Sequence, residues 1–190
     1  MPLSNIELCS AALVKLGATG ISSFSDGTAE ADVAGTLYEI VRDGLLGTHP
    51  WSFATAHAEL IQLPTAPLTD FDYAFELPTD FIKGLSAGDD GRGRGAIYQI
   101  VGNEVHSNYE EITLTYIKRA AEDIFPTYFV SALVNRLAAE FCLPLTENAS
   151  RSDLLYRLAD TELKLAKLID SQQDTPPRVE DFTLIEARLA

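Results

Sequence analysis

Apolar residues recur at helical spacing near both ends of this chain and at a spacing of two through its middle, so the pattern reads as helices, then strands, then helices. Ser4 with Glu7 makes a capping box, and Ile6, Cys9, Leu13 and Leu16 follow at three- and four-residue steps until Gly17; this predicts a helix over residues 4–16. Residues 22–27 are rich in turn formers. Beyond them Ala31, Ala34, Leu37 or Tyr38, Val41 and Leu45 share one face, while Glu30, Asp32, Glu39, Arg42 and Asp43 fill the other. A second helix over 29–47 is expected, ending near Gly47 because Pro50 cannot continue it. His49-Pro50-Trp51-Ser52-Phe53-Ala54 then reads as a corner where a helical layer hands over to a sheet, with Trp51 and Phe53 as packing residues rather than a ligand platform.

Between residues 56 and 118 the stretches 59–63, 73–77 and 81–85 are short and rich in apolar or aromatic side chains, as strands are. Residues 97–101 and 104–107 flank Gly102-Asn103, a two-residue link suited to a primed hairpin turn, and 111–118 alternates. One small antiparallel sheet is the expectation. Helical spacing returns after Pro126 with Phe129, Val130, Leu133, Leu137 and Phe141, until Pro144 interrupts, giving a third helix over 126–143. In a fourth, over 150–171, Leu154, Leu155, Leu158, Leu165, Leu168 and Ile169 form the apolar stripe, with Arg157 facing Asp160 and Thr161 on the wet side.

The fold class expected is therefore α+β: an antiparallel helical bundle of about four helices with an inserted small antiparallel β-sheet over residues 56–118, and an extended C-terminal tail. Residues 1–171 form a single domain and 172–190 the tail. Gln172 to Pro177 is a polar breaker, after which Arg178, Val179, Phe182, Leu184, Ile185 and Leu189 supply contact residues with no domain core of their own; they are candidates for binding a partner.

Length changes little in this picture: 190 residues suit one core. Charge changes more. The formal net charge is -14, with acids in excess along the whole chain, which opposes adhesion to a phosphate backbone while leaving room for an acidic wall past which DNA slides. Cys9 and Cys142 sit far apart inside apolar helical patterns, as buried free thiols do. The N-terminus lacks the pattern of a signal peptide, and no stretch is expected to supply the ~20 apolar residues of a membrane span, so folding in a cytoplasm is anticipated. Asn148-Ala149-Ser150 then matches a glycosylation acceptor by accident.

Candidate chemistry is sparse. His49, His57 and His106 do not pair at metal-ligand spacing, and neither a His-Glu-x-x-His nor a paired Cys-x-x-Cys occurs. There is no Gly-x-Ser-x-Gly. Gly91-Arg92-Gly93-Arg94-Gly95 lacks the Gly-Lys-Ser/Thr of a phosphate cradle and reads as a loop between strands. Its charged residues Asp89, Asp90, Arg92 and Arg94, set among Gly88, Gly91, Gly93 and Gly95, make it the candidate loop that reorders on assembly. The acid pairs Asp89-Asp90, Glu110-Glu111 and Glu122-Asp123 read as solvated loop residues, although paired carboxylates are also what acid–base catalysis uses. No cofactor is implied.

Several blocks, in order, resemble the tail tubular protein A family, the head-to-tail adaptors of tailed bacteriophages. They are Ala12-Leu13-Val14-Lys15-Leu16-Gly17 with Ile21-Ser22-Ser23, Leu45-Leu46 before His49-Pro50-Trp51-Ser52-Phe53, Phe75-Glu76-Leu77-Pro78-Thr79-Asp80-Phe81, Ile97-Tyr98, residues 112–116, and the paired C-terminal helices. The resemblance spans most of the chain. It implies a non-enzymatic subunit of a dodecameric ring beneath the portal protein, joined below to a further tail or nozzle protein, with genomic DNA crossing the lumen without specific binding and no contact with membrane. It further implies a C-terminal segment that docks on the portal, and a place in the virion after assembly in the host cytoplasm. Pro144 departs from the smooth end expected for the third helix. Two other readings stay open: a small acidic hydrolase using its Asp or Glu pairs, and a monomeric regulatory module binding a host protein through the apolar tail.

Overall fold

The computed structural model describes residues 3–173 except Thr69, Asp90 and Arg92. It is a mixed α+β fold of four helices and two small antiparallel sheets. In chain order the elements are α1 (Asn5–Lys15), α2 (Ala29–Gly47), β1 (Thr55–Glu59), β2 (Tyr73–Glu76), β3 (Phe81–Gly88), β4 (Tyr98–Val101), β5 (Glu104–Ser107), β6 (Thr113–Lys118), α3 (Thr127–Thr146) and α4 (Ala149–Asp170). Short 3-10 turns at Ser52–Ala54 and Glu122–Ile124 lead into β1 and α3.

Helix starts follow the expected capping chemistry. The Ser4 hydroxyl accepts from the Glu7 N–H, while the Ser4 N–H donates to Glu7 Oε2 at 2.7 Å. Thr28 caps α2, and Asn148 accepts from the Arg151 N–H at 3.0 Å to start α4.

Pro144 does not end the third helix. It lies in the last turn of α3, which runs on to Thr146 and stops at Glu147 in the left-handed conformation (φ 52). One missing N–H there removes a single intrahelical bond, which a terminal turn tolerates. Pro126 caps the helix instead of opening it. With 20 residues and only Arg136 and Glu140 charged, α3 is also long and apolar enough to cross a membrane, contrary to the expectation from sequence. Its apolar residues serve the protein core: Phe129, Leu133, Leu137, Phe141 and Cys142 are fully buried.

Where one sheet was expected, two form. Sheet A has the order β1-β6-β3 and sheet B the order β2-β5-β4, all antiparallel. The first strand is Thr55–Glu59 rather than 59–63, of which only Gln62 makes an isolated bridge, to Phe75. The β4–β5 hairpin turns at Gly102 with φ 61. Asn103 keeps a negative φ, the pattern of a type II′ turn with Gly at its first central position.

Two cores result. The first gathers α1, α2 and α3 with Trp51, Ala54, Ile117, Ala120 and Ala166. The second lies between the sheets and includes Leu60, Phe75, Leu77, Val105, Ile112, Leu114 and Tyr116. Strand β6 serves both, since Ile117 belongs to the helical core and Leu114 and Tyr116 to the intersheet core, as the period of two dictates. Sheet A is therefore the middle layer. At the β3 bulge, a Cβ on Gly84 would sit 3.0 Å from Ile100 of β4, so glycine permits this close approach of the sheets.

Two faces differ from expectation. Arg42, placed by sequence on the wet side of α2, is buried at 7% exposure, and Tyr38 rather than Leu37 enters the core. On α4 the leucine stripe mostly faces outward. The buried positions are Ser152, Ala159, Ala166 and Asp170, with Leu155 and Leu163 half-buried. Small residues at that face let α4 lie close on α3, and Arg157 pairs with Asp153 at 2.7 Å rather than with Asp160.

Candidate functional site

The handover from helices to sheets brings an aromatic cluster and a buried carboxylate together. Trp51 is fully buried; its ring meets Phe129 edge-on at 5.1 Å, His49 edge-on at 4.9 Å and Phe53 at 5.9 Å. Phe53, Phe125 and Phe129 complete the aromatic cluster at 4.9 to 5.8 Å. Trp51 Nε1–H donates to the Leu45 carbonyl at 3.0 Å, near the end of α2, an acceptor it shares with the Thr48 N–H and hydroxyl. Thus the indole fills the core and satisfies a helix terminus together.

Asp170, at the last turn of α4, holds the other side of this corner. Its side chain is 2% exposed. Its carboxylate accepts from the Ser52 N–H at 3.0 Å, the Ser52 hydroxyl at 2.8 Å and the Tyr128 hydroxyl at 2.7 Å, with His49 Nε2 at 3.3 Å. Burial and the bond to Asp170 push the Tyr128 phenol up to about 12. Desolvation lowers the His49 pKa, against the opposing pull of Asp170. A cleft of ≈ 450 Å³ lined by His49, Pro50, Ser52, Thr55, Leu85 and Asp170 lies beside the corner. Ser, His and Asp meet here, but not in relay order. Serine and histidine both bond to the one carboxylate, so the histidine is not set between them as a base for the hydroxyl.

A second cluster joins α2 to the approach to α3. Arg42 Nε donates to Asp43 Oδ1 at 2.8 Å and its Nη1 to Glu122 Oε1 at 3.3 Å; the Tyr38 hydroxyl also donates to Glu122, and Arg119 Nε to Asp43. Glu122 is therefore a structural ion-pair member rather than a solvated acid. Glu110 accepts from the Tyr73 hydroxyl at 3.1 Å. Asp89 and the Tyr109-Glu110-Glu111 stretch, remote from it in sequence, line one cleft of ≈ 240 Å³. Among the described residues no group of three or more His, Cys, Asp or Glu is placed to hold a metal ion.

The glycine loop is anchored, not simply solvated. The Gly93 carbonyl accepts from Ser86 Oγ at 2.6 Å and Thr115 Oγ1 at 3.0 Å, and His57 Nδ1 lies 2.9 Å from the same Thr115 oxygen. A Cβ on Gly93 would collide with Thr115 Oγ1. Gly93→Ala is expected to cost about 1–3 kcal/mol, the range for overpacking. A lowered urea midpoint at unchanged slope is the readout, and an unaltered midpoint contradicts the anchoring. Asp89 is half-buried and Arg94 exposed; Asp90 and Arg92 lie outside the described residues, as do Arg178, Val179, Phe182, Leu184, Ile185 and Leu189.

Cys9 and Cys142 are buried free thiols, and burial pushes the Cys9 thiol up to about 12. His106 is buried in β5, with Nε2 3.0 Å from Glu104. Comparison with protein-family models and with curated proteins found no match. Sequence reasoning missed both Asp170 and its partner Tyr128. The one local signal for Asp170 was an acid on the side of α4 opposite Leu154, Leu158, Leu165 and Leu168.

Proposed function

We propose that this protein is a structural head-to-tail adaptor of a tailed bacteriophage, a ring subunit that joins the portal to the tail and lines the DNA channel. In this reading the helices form an antiparallel bundle, the sheets are its insertion, and residues 172–190 are the extended tail. The observation that carries the reading is the convergence of the blocks on which the family resemblance rests. Leu45-Leu46 and His49 to Phe53 build the Trp51 corner. The block ending Asp80-Phe81 meets the block 112–116 directly: the Tyr116 hydroxyl donates to Asp80 at 2.9 Å, and the Phe81 and Tyr116 rings stack at 5.9 Å. The first contact joins the helices to sheet A, and the second ties β3 to β6 within sheet A.

The mechanism is one of shape and charge. A stiff corner transmits force between the layers, and a net charge of -14 favours a wall that does not retain DNA. A ring needs a heterologous interface that closes, and dodecameric closure is the proposed symmetry. Portal above, a tail or nozzle protein below and identical neighbours at the sides are the proposed partners, with the virion as the final location.

Phe182, Leu184 and Ile185, with Arg178, Val179 and Leu189, anchor the subunit to the portal. A chain ending at Gln173 is expected to lose at least about tenfold in portal capture, a loss of roughly 1.4 kcal/mol. Capture at the level of the full chain in a pull-down removes the tail from the account.

A further inference from the structure

Leu154, Leu158, Leu165 and Leu168 of α4 are 58%, 50%, 49% and 59% exposed. At 100° per residue they fall within a strip about 80° wide, on the side of α4 away from Ser152, Ala159, Ala166 and Asp170. Arg157, paired with Asp153, and Lys164 flank this strip on one side, and Arg151 with Glu162 on the other, so its edges carry both signs of charge. Beside it, near the end of α4, opens a groove of ≈ 340 Å³ lined by Thr127, Tyr128, Ser131, Glu162, Leu165, Ala166 and Ile169. The strip calls for an apolar segment edged with charge of both signs.

The chain contains such a segment. At helical spacing Phe182, Ile185 and Leu189 share one face, with Arg178 a turn before them, Asp181 and Arg188 on one flank and Glu186 on the other. It follows α4 directly. The nine residues from Gln173 to Phe182 reach up to roughly 30 Å, whereas the end of α4 lies only about 20 Å along the helix from Leu158. A short tether of this kind gives a high effective concentration, so a weak apolar contact suffices.

We propose that residues 178–189 dock on α4 of their own chain, with Phe182, Ile185 and Leu189 against the leucine strip and Asp181 and Glu186 toward Arg151, Arg157 and Lys164. The strip and any external partner then compete for the same face of the tail. This docking does not rest on the adaptor reading. If it fails, the pull-down with the shortened chain still tests that reading by itself.

Trypsin cleavage of the full chain after Arg178 and Arg188 reads the docking. With Leu158→Glu and Leu165→Glu together, cleavage is expected to be about tenfold faster than in the parent, because local opening controls access. Equal rates overturn the proposal. Both leucines are half-exposed, and should the pair nonetheless disturb the fold, Phe182→Glu with Ile185→Glu must accelerate cleavage to the same degree from the other side of the contact. Protection that grows with protein concentration overturns docking on the same chain, since it assigns the tail to a neighbouring copy.

Discussion

Trp51→Ala is expected to destabilise the protein by about 3–5 kcal/mol, the range for removing a buried aromatic side chain from a core. No smaller side chain spans the space between Phe129, His49 and Phe53, so a cavity opens where α2, α3 and sheet A meet. Trp51→Phe separates packing from hydrogen bonding. It retains a ring and loses the bond to the Leu45 carbonyl, which still accepts from the Thr48 hydroxyl at 2.7 Å and the Thr48 N–H at 3.1 Å. Its cost should be smaller, about 1–2 kcal/mol. Urea titration followed by far-ultraviolet dichroism measures both, and an alanine variant within about 1 kcal/mol of the parent would show that the corner does not hold the layers together.

The second large effect is expected at Asp170. Asp170→Ala removes the shared acceptor of the Ser52 N–H, the Ser52 hydroxyl and the Tyr128 hydroxyl, and is expected to cost about 2–3 kcal/mol as these donors lose their partner. The pH profile gives an independent reading. The folded protein holds the Tyr128 proton up to about 12 against an ordinary 10.0, so the unfolded chain loses its proton first as pH rises. Stability contributed by this phenol is complete below about pH 10 and falls between there and about pH 12. In the alanine variant the Tyr128 phenol should titrate nearer its ordinary value, leaving only the effect of burial. An unchanged phenol titration, followed by ultraviolet absorbance, contradicts the assigned contact.

The helices were legible because a period of 3.6 and a capping box are local properties: Ser4 with Glu7 marks a start that the structure retains. Pairing of strands is not local. The same alternating segments serve one sheet or two, and the choice depends on contacts such as Phe75 with Val105 and Lys83 with Ile117. Periodicity also says that a helix has an apolar stripe without saying that the stripe packs inward. On α4 the close approach to α3 selects Ala159 and Ala166, which are small, and leaves the leucines outside. Arg42 was assigned to the wet side of its helix and Asp170 drew no reading at all, yet each meets partners distant in sequence. Ser52 and Asp170 are 118 residues apart. No local pattern can announce such a bond.

The central claim is that the molecule works by assembly under a portal. Electron microscopy of the full-length protein mixed with its cognate portal particles tests it most directly. The account predicts an additional ring layer of subunits on one face of the portal, of matching twelvefold symmetry. Portal particles that stay bare at saturating subunit concentration, with the subunit remaining free in solution, would contradict it.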